Sequence, residues 1–232
     1  MTPAAHVREN FGFVARAEKR VLIWIAARLP DAINSDHLSL LGLVAMAAAG
    51  ASFALFQVSP RLAAFGVVVS LAANWFGDSL DGTVARVRLQ QRPRYGFYVD
   101  HVIDLAGTTF LIAGLAASGL IHASLAAMLL VAYLLVSAES FLATHAMGRF
   151  RMSFLGFGPT ELRLVLAAGA IKAAESPWAT LGGGTRLLLF DVGACVAIAG
   201  LLTAFVVSSV RNSRTLYAAE PLPPRATAGR AA

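Results

Sequence analysis

The sequence predicts an all-α integral membrane protein, a bundle of six transmembrane helices preceded by an N-terminal interfacial amphipathic helix. Of its 232 residues, 57% are hydrophobic and 14% charged, against roughly 45–50% and about 25% in soluble domains. The apolar residues form long runs, and the basic residues are distributed unevenly between the connections. This composition excludes a disordered chain and argues against a water-soluble domain. A single cysteine, Cys195, excludes an internal disulfide and a cysteine-based metal site.

Six apolar runs are long enough to cross a membrane, which takes about 20 residues of helix. They are residues 37–58, 62–85, 97–121, 123–147, 154–174 and 186–210. The stretch 105–138 carries no charged residue and is too long for one span, so we divide it near residues 122–124. The fifth run is interrupted by Glu161 and Arg163. We therefore expect a transmembrane domain over residues 37–210.

The segments on either side of this domain have a different composition. Residues 1–36 alternate basic and apolar residues at near-helical spacing and include Trp24, which is typical of a helix that lies in the membrane interface. Residues 211–232 begin with Arg211 and Arg214 and become rich in alanine and proline. Because this tail has little apolar surface to bury, we expect it to be cytoplasmic and disordered.

The basic residues predict the topology. Of the 19 Lys and Arg residues, only Arg61, Lys172 and Arg186 lie on one side of the predicted spans. Since Lys and Arg accumulate in cytoplasmic loops, both termini should be cytoplasmic. The formal net charge of +6 then reflects topology and anionic membrane lipids, and no nucleic-acid partner is expected.

Four aspartates interrupt the apolar pattern at the junction of the second and third spans. Asp78 and Asp81 are three residues apart near the end of one helix, and Asp100 and Asp104 are four apart near the start of the next. Each pair therefore shares a helical face, and antiparallel neighbours bring both pairs to the same depth. A charged residue within a span costs about 2.5–3.5 kcal/mol, so these positions indicate a functional site.

Carboxylates at such a site would repel one another without cations. Mg²⁺ or Mn²⁺ suits an all-oxygen ligand set, and two ions about 3.5–4 Å apart can clamp a pyrophosphate. Gly82 and Gly96 would allow a nucleotide close to the backbone, and Arg86 can neutralise phosphate oxygens.

The spacing D-x2-D-G-x2-A-R-x9-G-x3-D-x3-D resembles the motif of the class I CDP-alcohol phosphotransferase (CDP-alcohol phosphatidyltransferase) family. Its fixed positions are Asp78, Asp81, Gly82, Ala85, Arg86, Gly96, Asp100 and Asp104. The segment Ser35–Ser39 is similar to the family's Pro-Asn-x-Leu-Thr, with Ser35 and Asp36 in place of Pro and Asn. The resemblance implies an enzyme of phospholipid biosynthesis. Such an enzyme moves a substituted phosphate from a CDP-linked alcohol to an acceptor alcohol and releases CMP.

The resemblance also implies roles for individual residues. Asp78, Asp81 and Asp100 look like metal ligands, and Asp104 looks like the general base with a share in the second metal. The nucleotide-binding positions would be Asp78, Gly82, Ala85, Arg86 and Gly96. Family members are typically homodimers, and we expect this enzyme in a bacterial inner membrane with its active site facing the cytoplasm.

The donor stays open between CDP-diacylglycerol and a CDP-aminoalcohol. Asp100-His101 and the stretch Gly158–Glu161 resemble the aminoalcohol branch, but neither is decisive. The candidate acceptor-site residues are Glu139, His145, Glu161 and Arg163. Instead of lining the acceptor site, Glu139 can have a structural role as a bridge to a polar group of a neighbouring helix. The competing function classes are a membrane ion or solute transporter and a non-catalytic lipid-binding homologue.

Overall fold

The computed structural model describes residues 13–147, 159–180, 184–220 and 222. Seven helices and one short hairpin follow one another along these residues. They are α1 Phe13–Ala26, α2 Ser35–Ala54 with a 3₁₀ turn at Leu55–Gln57, α3 Pro60–Val87, α4 Pro93–Ala117, α5 Ala123–Met147, α6 Pro159–Glu175, β1 Trp178–Thr180, β2 Arg186–Leu188 and α7 Leu189–Ala219. β1 and β2 pair antiparallel.

Five of these helices are long and apolar enough to cross a membrane: α2 with its 3₁₀ turn, α3, α4, α5 and α7. The prediction of an all-α, multi-pass membrane protein is thereby confirmed. Helix α6 has 17 residues and is about 25 Å long, less than the roughly 30 Å of a hydrocarbon core. The predicted span 154–174 begins outside the described residues, so the count of six spans stays a prediction.

Several predicted boundaries differ from the structure. The span predicted as 97–121 corresponds to α4, Pro93–Ala117. Helix α7 continues to Ala219, so the boundary at residue 210 lies within a helix and residues 211–219 are not a disordered tail. Asn212 explains part of this extension, because its amide donates to Glu139 of α5 at 2.7 Å. Helix α2 begins at Ser35 because the side chain of Asn34 accepts from the backbone N–H of His37 in a capping box.

Polar contacts join α5 and α7 near both ends of their shared length. The backbone N–H of His122 donates to Asp191 Oδ1 at 2.8 Å, and the imidazole Nδ1 lies 2.5 Å from Oδ2. The Glu139–Asn212 hydrogen bond forms the second contact. Because both residue numbers increase from the first contact to the second, α5 and α7 run in the same direction.

Helix α2 lies against α3 and α4, and glycines allow a close approach of the helix axes in both pairs. A Cβ on Gly114 of α4 would lie 1.9 Å from the carbonyl oxygen of Gly50 on α2. A Cβ on Gly77 of α3 would lie 2.6 Å from the carbonyl oxygen of Leu38. Backbone therefore meets backbone on both sides of α2, which only glycine permits.

Helix α1 packs on the end of α3 that carries the aspartates. Its Leu22 and Ala26 are buried against Leu80 and Val84. The guanidinium of Arg88, just beyond α3, donates to three carbonyl oxygens of the α1–α2 connection, those of Leu29, Pro30 and Ile33, at 2.8, 3.1 and 2.6 Å. These bonds fasten the N-terminal segment to α3.

Helix α3 ends in a Schellman motif with a leucine at the left-handed position. The N–H of Gln90 donates to the carbonyl of Ala85 at 2.9 Å, and that of Leu89 to Arg86 at 3.2 Å. Leu89 has φ 56°, where glycine is the usual residue.

Leu89→Gly is expected to stabilise the protein. A leucine in the left-handed conformation costs roughly 1–2 kcal/mol, and glycine removes that strain. Because glycine loses more backbone entropy on folding, about half of the gain is cancelled, and the free energy of unfolding should rise by about 0.5–1 kcal/mol. Thermal unfolding in detergent measures this, with Leu89→Ala as the control that keeps the Cβ and should gain nothing. An equal effect of both variants would contradict the strain argument.

Candidate active site

The four aspartates of the motif line one cavity at the junction of α3 and α4. Asp78 and Asp81 come from α3, and Asp100 and Asp104 from α4, as the spacing predicts. The remaining wall of the cavity consists of Ser39, Gly42, Asn74 and Ile103. The close contact between α2 and α3 at Gly77 therefore places the start of α2 directly against the aspartates.

Three of these carboxylates fit a divalent metal ion. Asp78, Asp100 and Asp104 are half-buried, and each offers one oxygen such that all three lie within 4.8 Å of one another. Hard cations such as Mg²⁺ and Mn²⁺ take carboxylate oxygens as ligands. The chemistry of this donor set therefore suits a divalent metal ion.

Asp81 is oriented differently from the other three. Its Oδ2 accepts from the hydroxyl of Ser39 at 2.7 Å, and its Oδ1 accepts from the N–H of Gly82 at 2.5 Å. The hydroxyl of Ser35 donates to its backbone carbonyl at 3.0 Å. Two turns of α2 thus hold both the side chain and the main chain of Asp81.

Arg163 of α6 reaches into the acidic cluster. Its Nη2 lies 2.5 Å from Asp78 Oδ2, and its Nε donates to Asn74 Oδ1 at 2.7 Å. Asn74 in turn donates to the carbonyl of Gly42 at 3.0 Å. The ion pair is largely shielded, because the side chains of Arg163 and Asp78 are 14% and 30% exposed. Arg163 therefore offsets part of the repulsion between the aspartates.

Sequence reasoning missed Asn74 as a member of this site. A signal was present, since Asn74 is an amide inside an apolar span, four residues before Asp78 and on the same helical face. Its distant partners, Gly42 and Arg163, lie 32 and 89 residues away in the chain.

The predicted nucleotide positions lie on one side of this cluster, with Gly82, Ala85 and Arg86 at the end of α3 and Gly96 at the start of α4. Arg86 donates to Thr83 Oγ1 at 3.1 Å. Its Nη1 would lie 3.2 Å from a Cβ on Gly82, so the absent side chain leaves room for the guanidinium against α3. Gly96 faces open space, with nothing within 4 Å of its Cβ position.

A second cavity, of about 430 Å³, begins at Ala85 and separates the start of α2 from the α3–α4 loop. Its lining consists of Asn34, Ser35, Asp36, Val84, Ala85, Gln90, Gln91 and Arg92. The guanidinium of Arg92 and the carboxylate of Asp36 meet at 2.5 Å on its wall. The hydrogen bond to Asp36 raises the pKa of Arg92, which is charged at any physiological pH.

The candidate acceptor residues do not all lie together. Arg163 contacts the cluster, whereas Glu139 accepts from Asn212 of α7, which agrees with its alternative as a bridge between helices. His145 and Glu161 are exposed, in the last turn of α5 and the first of α6. Gly158, the first residue of the stretch that resembles the aminoalcohol branch, lies outside the described residues.

His101 is buried and packs with aromatic side chains. Its Nδ1 lies 2.6 Å from the carbonyl oxygen of Phe97. Its ring lies 4.2 Å from that of Phe97 and 5.1 Å from that of Phe141. His101 therefore joins α4 to α5 next to Asp100.

Comparison with known proteins assigns the family. No curated protein matches the chain. The family model described as CDP-alcohol phosphatidyltransferase matches residues 33–206, about three quarters of the chain and all four aspartates. The chain therefore belongs to the CDP-alcohol phosphatidyltransferase family, transferases of substituted phosphate groups that serve phospholipid synthesis.

Proposed function

We propose that the protein transfers a substituted phosphate from a CDP-linked alcohol to an acceptor alcohol, releases CMP, and depends on a divalent metal ion. The observation that carries the proposal is the convergence of Asp78, Asp100 and Asp104, with oxygens within 4.8 Å of one another. Family membership favours this transferase over the transporter and the lipid-binding homologue.

The aspartates divide the work in this reaction. Asp78 and Asp100, which belong to the convergent set, would hold a metal ion together with Asp81, and Asp104 would share a second ion. Two Mg²⁺ or Mn²⁺ ions, when bound, supply the positive charge that neutralises the donor's pyrophosphate. Asp104 is the general base for the acceptor hydroxyl. Its carboxylate lines the same cavity as the other three aspartates, within reach of a hydroxyl held there.

The donor nucleotide contacts the end of α3 and the start of α4. Gly82, Ala85, Arg86 and Gly96 are the contacting positions, and Asp78 would reach the donor's pyrophosphate only through a bound metal ion. Support comes from the open space at Gly96 and from the cavity that begins at Ala85. Arg86 is exposed beside them and can pair with phosphate oxygens.

The acceptor enters from the side of α6. Arg163 supports this proposal because its guanidinium already lies against Asp78 and can contact a polar or phosphorylated acceptor. Glu139, His145 and Glu161 have weaker support, since none of them lines the carboxylate cavity. CDP-diacylglycerol and CDP-aminoalcohol donors both stay open.

The placement in the membrane is part of the proposal. α6 serves as the short fifth of six spans. α1 lies in the interface, where its exposed Val21, Ile23 and Trp24 side chains would contact lipid. The aspartates face the cytoplasm of a bacterial inner membrane, because Arg86, Arg88, Arg92 and Arg94 surround the same end. The enzyme works as a homodimer.

Metal-dependent release of CMP by the purified protein tests the function. One panel offers CDP-diacylglycerol with small polar alcohols, and the other offers CDP-choline or CDP-ethanolamine with diacylglycerol. Release in one panel assigns the donor class and the acceptor. Absence of release in both panels, with Mg²⁺ and with Mn²⁺, contradicts the proposal.

Asp78→Ala is expected to abolish metal-dependent CDP binding. The change removes one of three convergent ligands and the partner of Arg163, whose charge then opposes a metal ion. Calorimetry of CDP binding in the presence of Mn²⁺ measures the loss. Glu175→Ala, an exposed carboxylate at the far end of α6, is the control. Unchanged CDP binding by Asp78→Ala would refute the ligand assignment.

A further inference from the structure

We propose that Ser39 is a positioning residue of the metal site, because its hydroxyl orients the carboxylate of Asp81 toward a bound divalent ion. This inference rests on the proposed function, in which Asp81 is a metal ligand. It makes the first turns of α2 part of the site, although the charged residues come from α3 and α4.

The hydrogen bond itself is the first argument. Ser39 Oγ lies 2.7 Å from Asp81 Oδ2 and 3.2 Å from the carbonyl oxygen of Ser35. A hydroxyl has one hydrogen to donate, and the closer, ionised acceptor makes the stronger bond. The hydroxyl therefore donates its hydrogen to the carboxylate of Asp81 rather than to the carbonyl oxygen of Ser35 in its own helix.

The second argument is that Asp81 is held at both oxygens. Oδ1 accepts from the N–H of Gly82 while Oδ2 accepts from Ser39, so the carboxylate cannot rotate without losing a bond. Each oxygen keeps a further lone pair for a ligand. Asp81 lines the same cavity as Asp78, Asp100 and Asp104, which makes this fixed carboxylate a ready partner for an ion there.

The third argument is that helix packing does not need Ser39. The backbone contact at Gly77 sets the distance between α2 and α3, and the hydroxyl of Ser35 fastens the carbonyl of Asp81 at 3.0 Å. Removal of the Ser39 hydroxyl should therefore free the carboxylate and leave the helices in place. Residues that orient metal ligands typically contribute 10–100-fold to metal affinity.

Titration of the full-length, metal-free protein in detergent with Mn²⁺, followed by electron paramagnetic resonance of free Mn²⁺, tests this inference. Ser39→Ala should raise the Mn²⁺ dissociation constant by about tenfold, and Ser39→Thr should restore it. The control is Thr203→Ala, which removes an exposed hydroxyl that donates to the carbonyl of Ala199 within α7. Its dissociation constant should stay near that of the wild type.

The comparison also separates positioning from folding. If Ser39→Ala does not yield folded protein, the isosteric pair Ser39→Thr and Ser39→Val gives the same comparison with and without the hydroxyl. An unchanged or lower dissociation constant without the hydroxyl overturns the inference, as does an equal loss of Mn²⁺ affinity in Thr203→Ala. Wild-type protein that binds no Mn²⁺ contradicts the proposed function itself.

Discussion

Asp104→Asn should reduce CMP release by about 10²–10⁴-fold, the usual contribution of a general base, while Mn²⁺-dependent binding of the CDP-linked donor largely survives. Asparagine has the shape of aspartate and one oxygen that can still face a metal, but it cannot accept the proton of the acceptor hydroxyl. Asp78 and Asp100 are unchanged in this variant and keep the other ligand oxygens of the convergent set.

Turnover and donor binding should be measured on the same preparation. Asp191→Asn is the matched control, since Asp191 lies in the first turn of α7 and pairs with His122, on a different connection of the bundle. Wild-type turnover by Asp104→Asn would exclude Asp104 as the base. Loss of donor binding together with turnover would make Asp104 a metal ligand without a separate role as base.

Gly114→Ala should destabilise the protein by about 1–3 kcal/mol or more, in the range of overpacked cores. The new Cβ would lie 1.9 Å from the carbonyl oxygen of Gly50. Neither group can move by side-chain rotation, so α2 and α4 must separate. Because Asp104 also lies on α4, the separation should weaken Mn²⁺ binding as well.

Thermal unfolding in detergent measures the first effect, and Gly200→Ala is the control. Gly200 on α7 has nothing within 4 Å of its Cβ position, so alanine there should stabilise the helix by about 0.5–1 kcal/mol. The change from glycine to alanine should therefore lower the free energy of unfolding at position 114 and raise it at position 200. Similar unfolding temperatures for the two variants would show that α2 and α4 can part without cost.

Much of the fold could be predicted from apolar run length alone. The predicted span 123–147 coincides with α5, and the span 62–85 lies within α3. The length of an apolar run does not predict where a helix ends when charged residues or polar contacts determine its boundary. Glu161 and Arg163 shorten the apolar part of α6, and the Asn212–Glu139 contact accompanies a helix that continues beyond its last apolar run.

The candidate site, too, could be predicted only in part. The spacing of the four aspartates within two helices was sufficient to predict that they converge. The partners of these aspartates were not predictable, because Ser39 and Arg163 reach α3 from positions 42 and 85 residues away. Such contacts depend on how each helix is rotated about its axis, and periodicity in a run of apolar residues does not fix that rotation.

The two polar contacts between α5 and α7 have a consequence for hydrophobic matching. From His122 to Glu139 and from Asp191 to Asn212, the helices rise by about 25 and 31 Å. That rise is close to the roughly 30 Å thickness of a hydrocarbon core. A much thicker bilayer would draw one of the two contacts into lipid, and a thinner one would expose apolar surface to water. We therefore expect the contacts between α5 and α7 to favour a bilayer with a hydrocarbon core close to 30 Å thick.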